Sequence, residues 1–187
     1  MRIIGGEARG RRLFAPEGDE TRPTSDKVRE ALFNIIRGEV WDACVLDLFA
    51  GSGALGLEAI SRGAGSAVFC DVSKKAIAAV KRNIELMRCE DKTRVIQGDW
   101  HSALSGRYSL VFIDPPYRLT EVYHQAAEAL LSGGHLTEDA LLVMERVADK
   151  PITGLDERFE IFDERKYRDT ALTFVRLTQA EKGGEEA

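Results

Sequence analysis

Apolar residues recur along this chain in two rhythms. One is a set of short, nearly unbroken apolar runs: Cys44, Val45, Leu46, Leu48 and Phe49, then residues 67–70, 94–97, 110–113, 140–145, 159–162 and 170–177. Runs this short predict strands, and apolar residues on both faces predict parallel strands covered by helices on each side. The other rhythm is the spacing of a helix face. It groups Val28, Leu32, Phe33, Ile35 and Ile36, then Leu55, Leu57, Ala59 and Ile60, then Ala76, Ile77, Val80, Ile84 and Met87 in a helix over 73–87, and it returns over 123–131. Strand and helix alternate, which predicts an α/β fold with a mainly parallel sheet. The last two runs, joined across 165–169, predict a closing hairpin.

Local signals sharpen the ends of these elements. Thr24 or Ser25 is placed to cap the first helix and Gly38 to close it. Pro23 disfavours helix at Arg22, so residues 21–24 read as an extended, stiff entry. Ahead of them, Ile3, Ile4, Leu13 and Phe14 predict two short strands of a hairpin joined through Gly5, Gly6 and Gly10. This segment also carries Arg2, Arg9, Arg11 and Arg12 against Glu7 alone, which makes it a local basic arm.

Length and charge then bound the function. A chain of 187 residues suits one domain with a small extension. The expected division is a basic arm and helix over 1–40, a core over 41–180 and a solvated tail over 181–187. A formal charge of −5 excludes a uniformly basic coat, so contact with nucleic acid has to come from a local patch such as the arm. No apolar run reaches the length of a membrane span or forms a signal-peptide segment, which leads us to expect a cytoplasmic protein. Cys44, Cys70 and Cys89 form no CxxC pair and read as small core hydrophobes or inert thiols. His101, His124 and His135 have no ligand spacing, so no metal is expected.

The candidate chemistry lies at strand ends. Gly51, Gly53 and Gly56 follow the first core strand with the spacing of a dinucleotide-binding turn, a weak signal by itself. Asp47 changes its meaning. A carboxylate just before the turn repels a pyrophosphate and attracts a cation, which argues against a nicotinamide-dependent oxidoreductase. Asp71 ends the second strand, where an acid accepts hydrogen bonds from ribose hydroxyls in nucleotide-binding folds. Asp99 ends the third, followed by Trp100. The fourth runs straight into Asp114, Pro115, Pro116 and Tyr117, and two prolines stiffen that loop at the carboxyl edge, where ligands of open α/β sheets bind.

The stretch from Asp47 to Gly53 resembles motif I of the class I S-adenosylmethionine-dependent methyltransferases, and DPPY at 114–117 resembles the motif IV of those that modify exocyclic amines of bases. With Ile3-Ile4-Gly5-Gly6, Arg9-Gly10-Arg11, TRPTSDKVREALFN at 21–34 and DLFAGSGALGLEA at 47–59, the chain from Arg2 to Leu177 resembles the RsmD family. That resemblance implies a Rossmann-like mixed sheet of seven strands with an antiparallel last strand, and a small N-terminal hairpin and helix. It implies S-adenosylmethionine held by Asp47, Phe49, Gly51, Gly53, Asp71 and Asp99, and catalysis by Asp114, Pro115, Pro116 and Tyr117. It further implies ribosomal RNA as substrate, bound through Arg2, Arg9, Arg11, Arg12 and Arg22, within the small ribosomal subunit or an assembly intermediate, by a monomer. The reaction implied is methylation of N2 of guanine 966 in 16S ribosomal RNA. DPPY also suits adenine N6, and the motifs leave that alternative open. One departure is Arg168, where the family pattern leads us to expect glycine.

Overall fold

The computed structural model describes residues 1–17 and 25–178. Seven strands form one sheet: β1 (Cys44–Asp47), β2 (Ser66–Asp71), β3 (Thr93–Gln97), β4 (Tyr108–Ile113), β5 (Leu136–Val147), β6 (Phe159–Tyr167) and β7 (Thr170–Leu177). Their order is β3-β2-β1-β4-β5-β7-β6. The first five are parallel, and β7 runs antiparallel to both β5 and β6. The mixed sheet with its antiparallel last strand is the one expected. Because β1 leads to β2 on one side while β4 pairs on the other, the carboxyl ends of β1 and β4 flank the switch point of the sheet.

Helices α1 (Asp26–Ile35), α2 (Ala54–Ser61), α3 (Lys74–Met87) and α4 (Val122–Ser132) cover the two faces. Consecutive strand residues go to opposite layers, as the two-residue period requires. Val45, Leu110 and Phe112 pack with Phe33, Leu57 and Val80 in one core, while Leu46, Val111 and Ile113 pack with Tyr123, Ala126 and Leu130 in the other. Ser25 caps α1 by accepting the Val28 N–H at 3.3 Å, and Ser73 caps α3 by accepting the Ala76 N–H at 3.3 Å. At Gly56 a Cβ would stand 2.4 Å from the Phe69 ring, so the bare backbone is what lets α2 lie flat on β2.

Two apolar expectations shift. Ile35 is exposed rather than buried, because the helix gives way to a 3-10 turn at Arg37–Glu39 and it is Ile36 that reaches the core. Met87, the last residue of α3, is only half-buried. The closing strand β6 is longer than the apolar run 159–162 and continues to Tyr167. Arg168, in the turn to β7, has φ 53°, the left-handed backbone that explains why glycine was expected there.

The arm is a docked element. In place of two strands it has a single antiparallel bridge between Arg2 and Arg12, flanked by Ile3 N–H to Arg11 carbonyl at 2.9 Å and Leu13 N–H to Met1 carbonyl at 3.1 Å. Ile3 and Leu13 are buried in the core of α1 and α2. Glu58 of α2, fully buried, accepts the Ile4 and Gly5 N–H groups at 2.8 Å each, and Asn83 of α3 accepts the Phe14 N–H at 2.8 Å.

Candidate active site

Asp47 is 2% exposed at the end of β1, and its Oδ2 accepts the Gly56 N–H at 3.1 Å, which joins the strand to the first turn of α2. Burial pushes its carboxyl up to about 7, with a further push from Asp71 and an opposing pull from the Gly56 N–H. Gly51 and Gly53 both take left-handed backbone, φ 54° and 77°. The Gly51 N–H donates to Asp71 Oδ2 at 2.9 Å, and Asp71 Oδ1 accepts the Ser73 N–H at 2.8 Å. A Cβ at Gly51 would meet nothing within 4 Å, so this turn faces open space. Beside it stands Val72, 69% exposed, an apolar side chain that the sequence pattern did not single out. Phe49, half-buried, packs against the core on the α4 side.

The end of β3 joins the same edge. The Gly98 N–H donates to the Asp71 carbonyl at 3.0 Å, and the Cys70 thiol reaches the Asp99 carbonyl at 3.3 Å. Burial pushes the Cys70 thiol up to about 11, in keeping with an inert core cysteine. The Asp99 carboxylate is exposed and meets Ser102 Oγ at 3.3 Å. Trp100 stacks on His101 with centroids 3.6 Å apart.

Across the switch point, β4 delivers Asp114 half-buried, Pro115 buried, and Pro116 and Tyr117 exposed. Burial first, then Glu145 and Asp47, hold the Asp114 carboxyl well above the usual range. The Tyr117 hydroxyl lies 3.3 Å from Thr170 Oγ1, which in turn lies 3.1 Å from Glu145 Oε1. Glu145 and Thr170 were not predicted as site residues. The only trace in the sequence was a glutamate closing an otherwise apolar strand. A cavity of about 330 Å³ opens beside Tyr117, walled by Tyr123, His124, Arg146 and Pro151.

Of the arginines, Arg9, Arg11 and Arg12 are exposed, whereas Arg2 pairs with Asp26 at 3.4 Å. Arg22 lies outside the described residues. Arg29 is fully buried against Asp26 (3.1 Å) and Glu58 (3.9 Å) and cannot reach RNA. The arm abuts α3 instead: Arg11 donates to the Leu86 carbonyl, and Arg82 lies 3.4 Å over the Phe14 ring. The outer face of α3 carries Lys74, Lys75, Lys81, Arg82 and Arg88, all exposed. The first three and Arg88 have no ion-pair partner among the described residues. No group of residues that could hold a metal occurs among the described residues either.

Sheet order, glycine turn and acid–proline loop together define the class I S-adenosylmethionine-dependent methyltransferase fold. The family described as conserved hypothetical protein 95 matches residues 1–176, and the chain belongs to it, the RsmD family of the sequence resemblance. Ribosomal RNA small subunit methyltransferase D of Escherichia coli is 34% identical, over 99% of this chain and 92% of that protein. A solved Escherichia coli structure superimposes with a TM-score of 0.84 at 33% identity, covering 95% of this chain and 97% of that one. A hypothetical protein of Thermus thermophilus gives 0.79 at 30% identity, covering 95% and 99%.

Proposed function

We propose that this chain transfers a methyl group from S-adenosylmethionine to the exocyclic N2 of a guanine in 16S ribosomal RNA, guanine 966, in the small ribosomal subunit or an assembly intermediate. The observation that carries the reading is the pairing of β1 with β4. It sets the glycine turn and the Asp114 loop side by side at the carboxyl edge, with the Leu48 N–H bonded to the Phe112 carbonyl at 3.1 Å.

The residues present fit the cofactor. S-adenosylmethionine, when bound, supplies a methyl group already activated on a sulfonium. The open backbone at Gly51 gives it room, and Asp47 lies where an ammonium would be attracted. Asp71 spends one lone pair of each oxygen on a backbone N–H, and a carboxylate has about four such sites, so capacity for two ribose hydroxyls remains. Val72 offers an apolar surface to a base, and Asp99 an acceptor for the adenine amine.

Asp114 and the Pro115 carbonyl accept hydrogen bonds from the target amine, which keeps electron density on a nitrogen otherwise delocalised into the ring. Tyr117, exposed at the tip of the loop, stacks on the base, offsetting part of the cost of turning it out of its helix. Holding the nucleophile in line supplies several kcal/mol, on the order of 7 in favourable cases. Arg9, Arg11 and Arg12, with the cations of α3, take the RNA phosphates, and the protein acts as a monomer in the cytoplasm.

The test is methyl transfer from isotope-labelled donor to unmethylated small subunits and to naked 16S RNA, followed by nucleoside analysis. Labelled N2-methylguanosine is expected. Labelled N6-methyladenosine would overturn the choice of base, and tight NAD binding with none of S-adenosylmethionine would overturn the cofactor.

A further inference from the structure

Asp114 has a second carboxyl for a neighbour. The parallel register sets Ile113 against Met144, so one step further along Asp114 stands beside Glu145, and the two side chains leave the sheet on the same face. Glu145 is 6% exposed. The Thr170 hydroxyl is shared between Glu145 Oε1 at 3.1 Å and the Arg146 carbonyl at 3.0 Å, and the Tyr117 hydroxyl approaches Thr170 Oγ1 at 3.3 Å. Thr170 has one proton to give. If Tyr117 donates to Thr170, Thr170 is free to donate onward, and the tip of the Asp114 loop is tied to β5 and β7.

We propose that Glu145 is a positioning residue of the methyl-transfer site: through Thr170 it fixes Tyr117, and from beside Asp114 it governs the protonation of the carboxyl that receives the target amine. The inference rests on the methyltransferase reading above for the identity of that amine, but not for the pairing of the two acids.

The groups facing Asp114 are Glu145 from β5, Asp47 from β1 and Tyr123 from α4, and Tyr123 also faces Tyr117. The nearby cation does not neutralise them. Arg146 spends its guanidinium on Glu164 at 2.6 Å, on Thr173 at 3.0 Å and on the carbonyls of Val147, Ala148 and Lys150. A half-buried and a buried acid side by side share a proton more readily than both ionise. That arrangement suits the proton balance. As the amine nitrogen forms its bond to the methyl carbon, the carbon–sulfur bond breaks and its electron pair stays on sulfur. The nitrogen becomes positive and must lose one proton. The Asp114 carboxylate accepts it, then returns it to water.

The experiment reads the carboxyl directly. Carbon-13 NMR of the cofactor-free protein, labelled at its carboxyl groups and assigned with Asp114→Asn, follows the titration of Asp114 in the wild type and in Glu145→Gln. The Gln variant keeps an oxygen for Thr170 and removes the charge. We expect its Asp114 midpoint to fall by a pH unit or more, and the acid limb of kcat/KM to move to lower pH with cofactor affinity unchanged. Thr170→Val should lower kcat without moving that limb. An unmoved midpoint overturns the proposal. Should Glu145→Gln fail to fold, the wild-type spectrum still decides, because independent single-step titrations of Asp114 and Glu145 would also overturn it. A wild type that transfers no methyl group at all refutes the proposed function instead, and leaves the titration to stand or fall alone.

Discussion

Replacing Asp47 by Asn separates what burial costs this site from what the site is built to bind. In the free protein the carboxyl is 2% exposed and raised from 3.8 to about 7, chiefly by burial. A folded value above the unfolded one means that the neutral form is favoured in the native state. The contribution of Asp47 to stability is therefore fully present below the unfolded value of 3.8 and is lost as pH rises through about 7. At about 1.4 kcal/mol per pH unit, the rise from 3.8 to about 7 puts the loss at about 4 kcal/mol, an upper limit because water and local relaxation soften it. Asn keeps a carbonyl oxygen to accept the Gly56 N–H and cannot ionise. Urea unfolding of cofactor-free protein from pH 5 to 8 should show the wild type losing stability faster than Asp47→Asn, and the variant the more stable of the two at pH 8. Asp114 tilts both proteins in the same direction, so only the difference between them reports on Asp47. A cationic ligand should reverse the trend. Calorimetry with S-adenosylmethionine at pH 6, in buffers of different ionisation heat, should show close to one proton released by the wild type and fewer by the variant. Parallel pH profiles of stability, or equal proton release, would refute the argument.

Further outcomes follow from the same geometry. Asp114→Asn should reduce methyl transfer by several orders of magnitude while leaving the calorimetric Kd for S-adenosylhomocysteine within a few-fold of wild type. Gly56→Ala drives a methyl group to 2.4 Å from the Phe69 ring and should cost about 1–3 kcal/mol in urea unfolding. Lys81→Gln with Arg88→Gln should weaken RNA binding and flatten its salt dependence by roughly one slope unit or less per contact. Glu58→Ala should destabilise the protein by about 3–5 kcal/mol, measured by thermal unfolding, because it strands the Ile4 and Gly5 N–H groups and the buried Arg29.

What the sequence made legible is local. The glycine turn, the end of each parallel strand and the DPPY loop are written in contiguous residues, because backbone conformation and strand burial depend on a residue and its near neighbours. Polar partners contributed by distant segments left no such mark. Glu145 and Thr170 meet because β5 and β7 pair antiparallel, with Thr170 opposite Val147, and nothing in either segment announces the other. Strand β6 outran its apolar run for a related reason. Residues 163–167 are charged or polar on an outer strand, and an edge needs no apolar alternation, since charge there discourages pairing with another sheet.

The arm shows most clearly how a composition can be right about charge and silent about mechanism. Four arginines in a dozen residues announce a basic segment, yet the backbone N–H groups at Ile4 and Gly5 are what hold it, by capping a carboxylate on the same helix that the glycine turn opens. Glu58 also pairs with Arg62 at 2.7 Å and faces Arg29, while Arg29 reaches back to the Arg2 carbonyl and to Asp26. Arm, α1 and α2 thus share one buried set of charges. Removing residues 2–12 would strip Glu58 of both amide donors, take Ile3 out of the core and uncover Leu13, so a deletion cannot separate RNA binding from folding. Charge-neutralising substitutions can. Arg9 and Arg12 have no ion-pair partner among the described residues, so their loss should be felt by a polyanion and by little else.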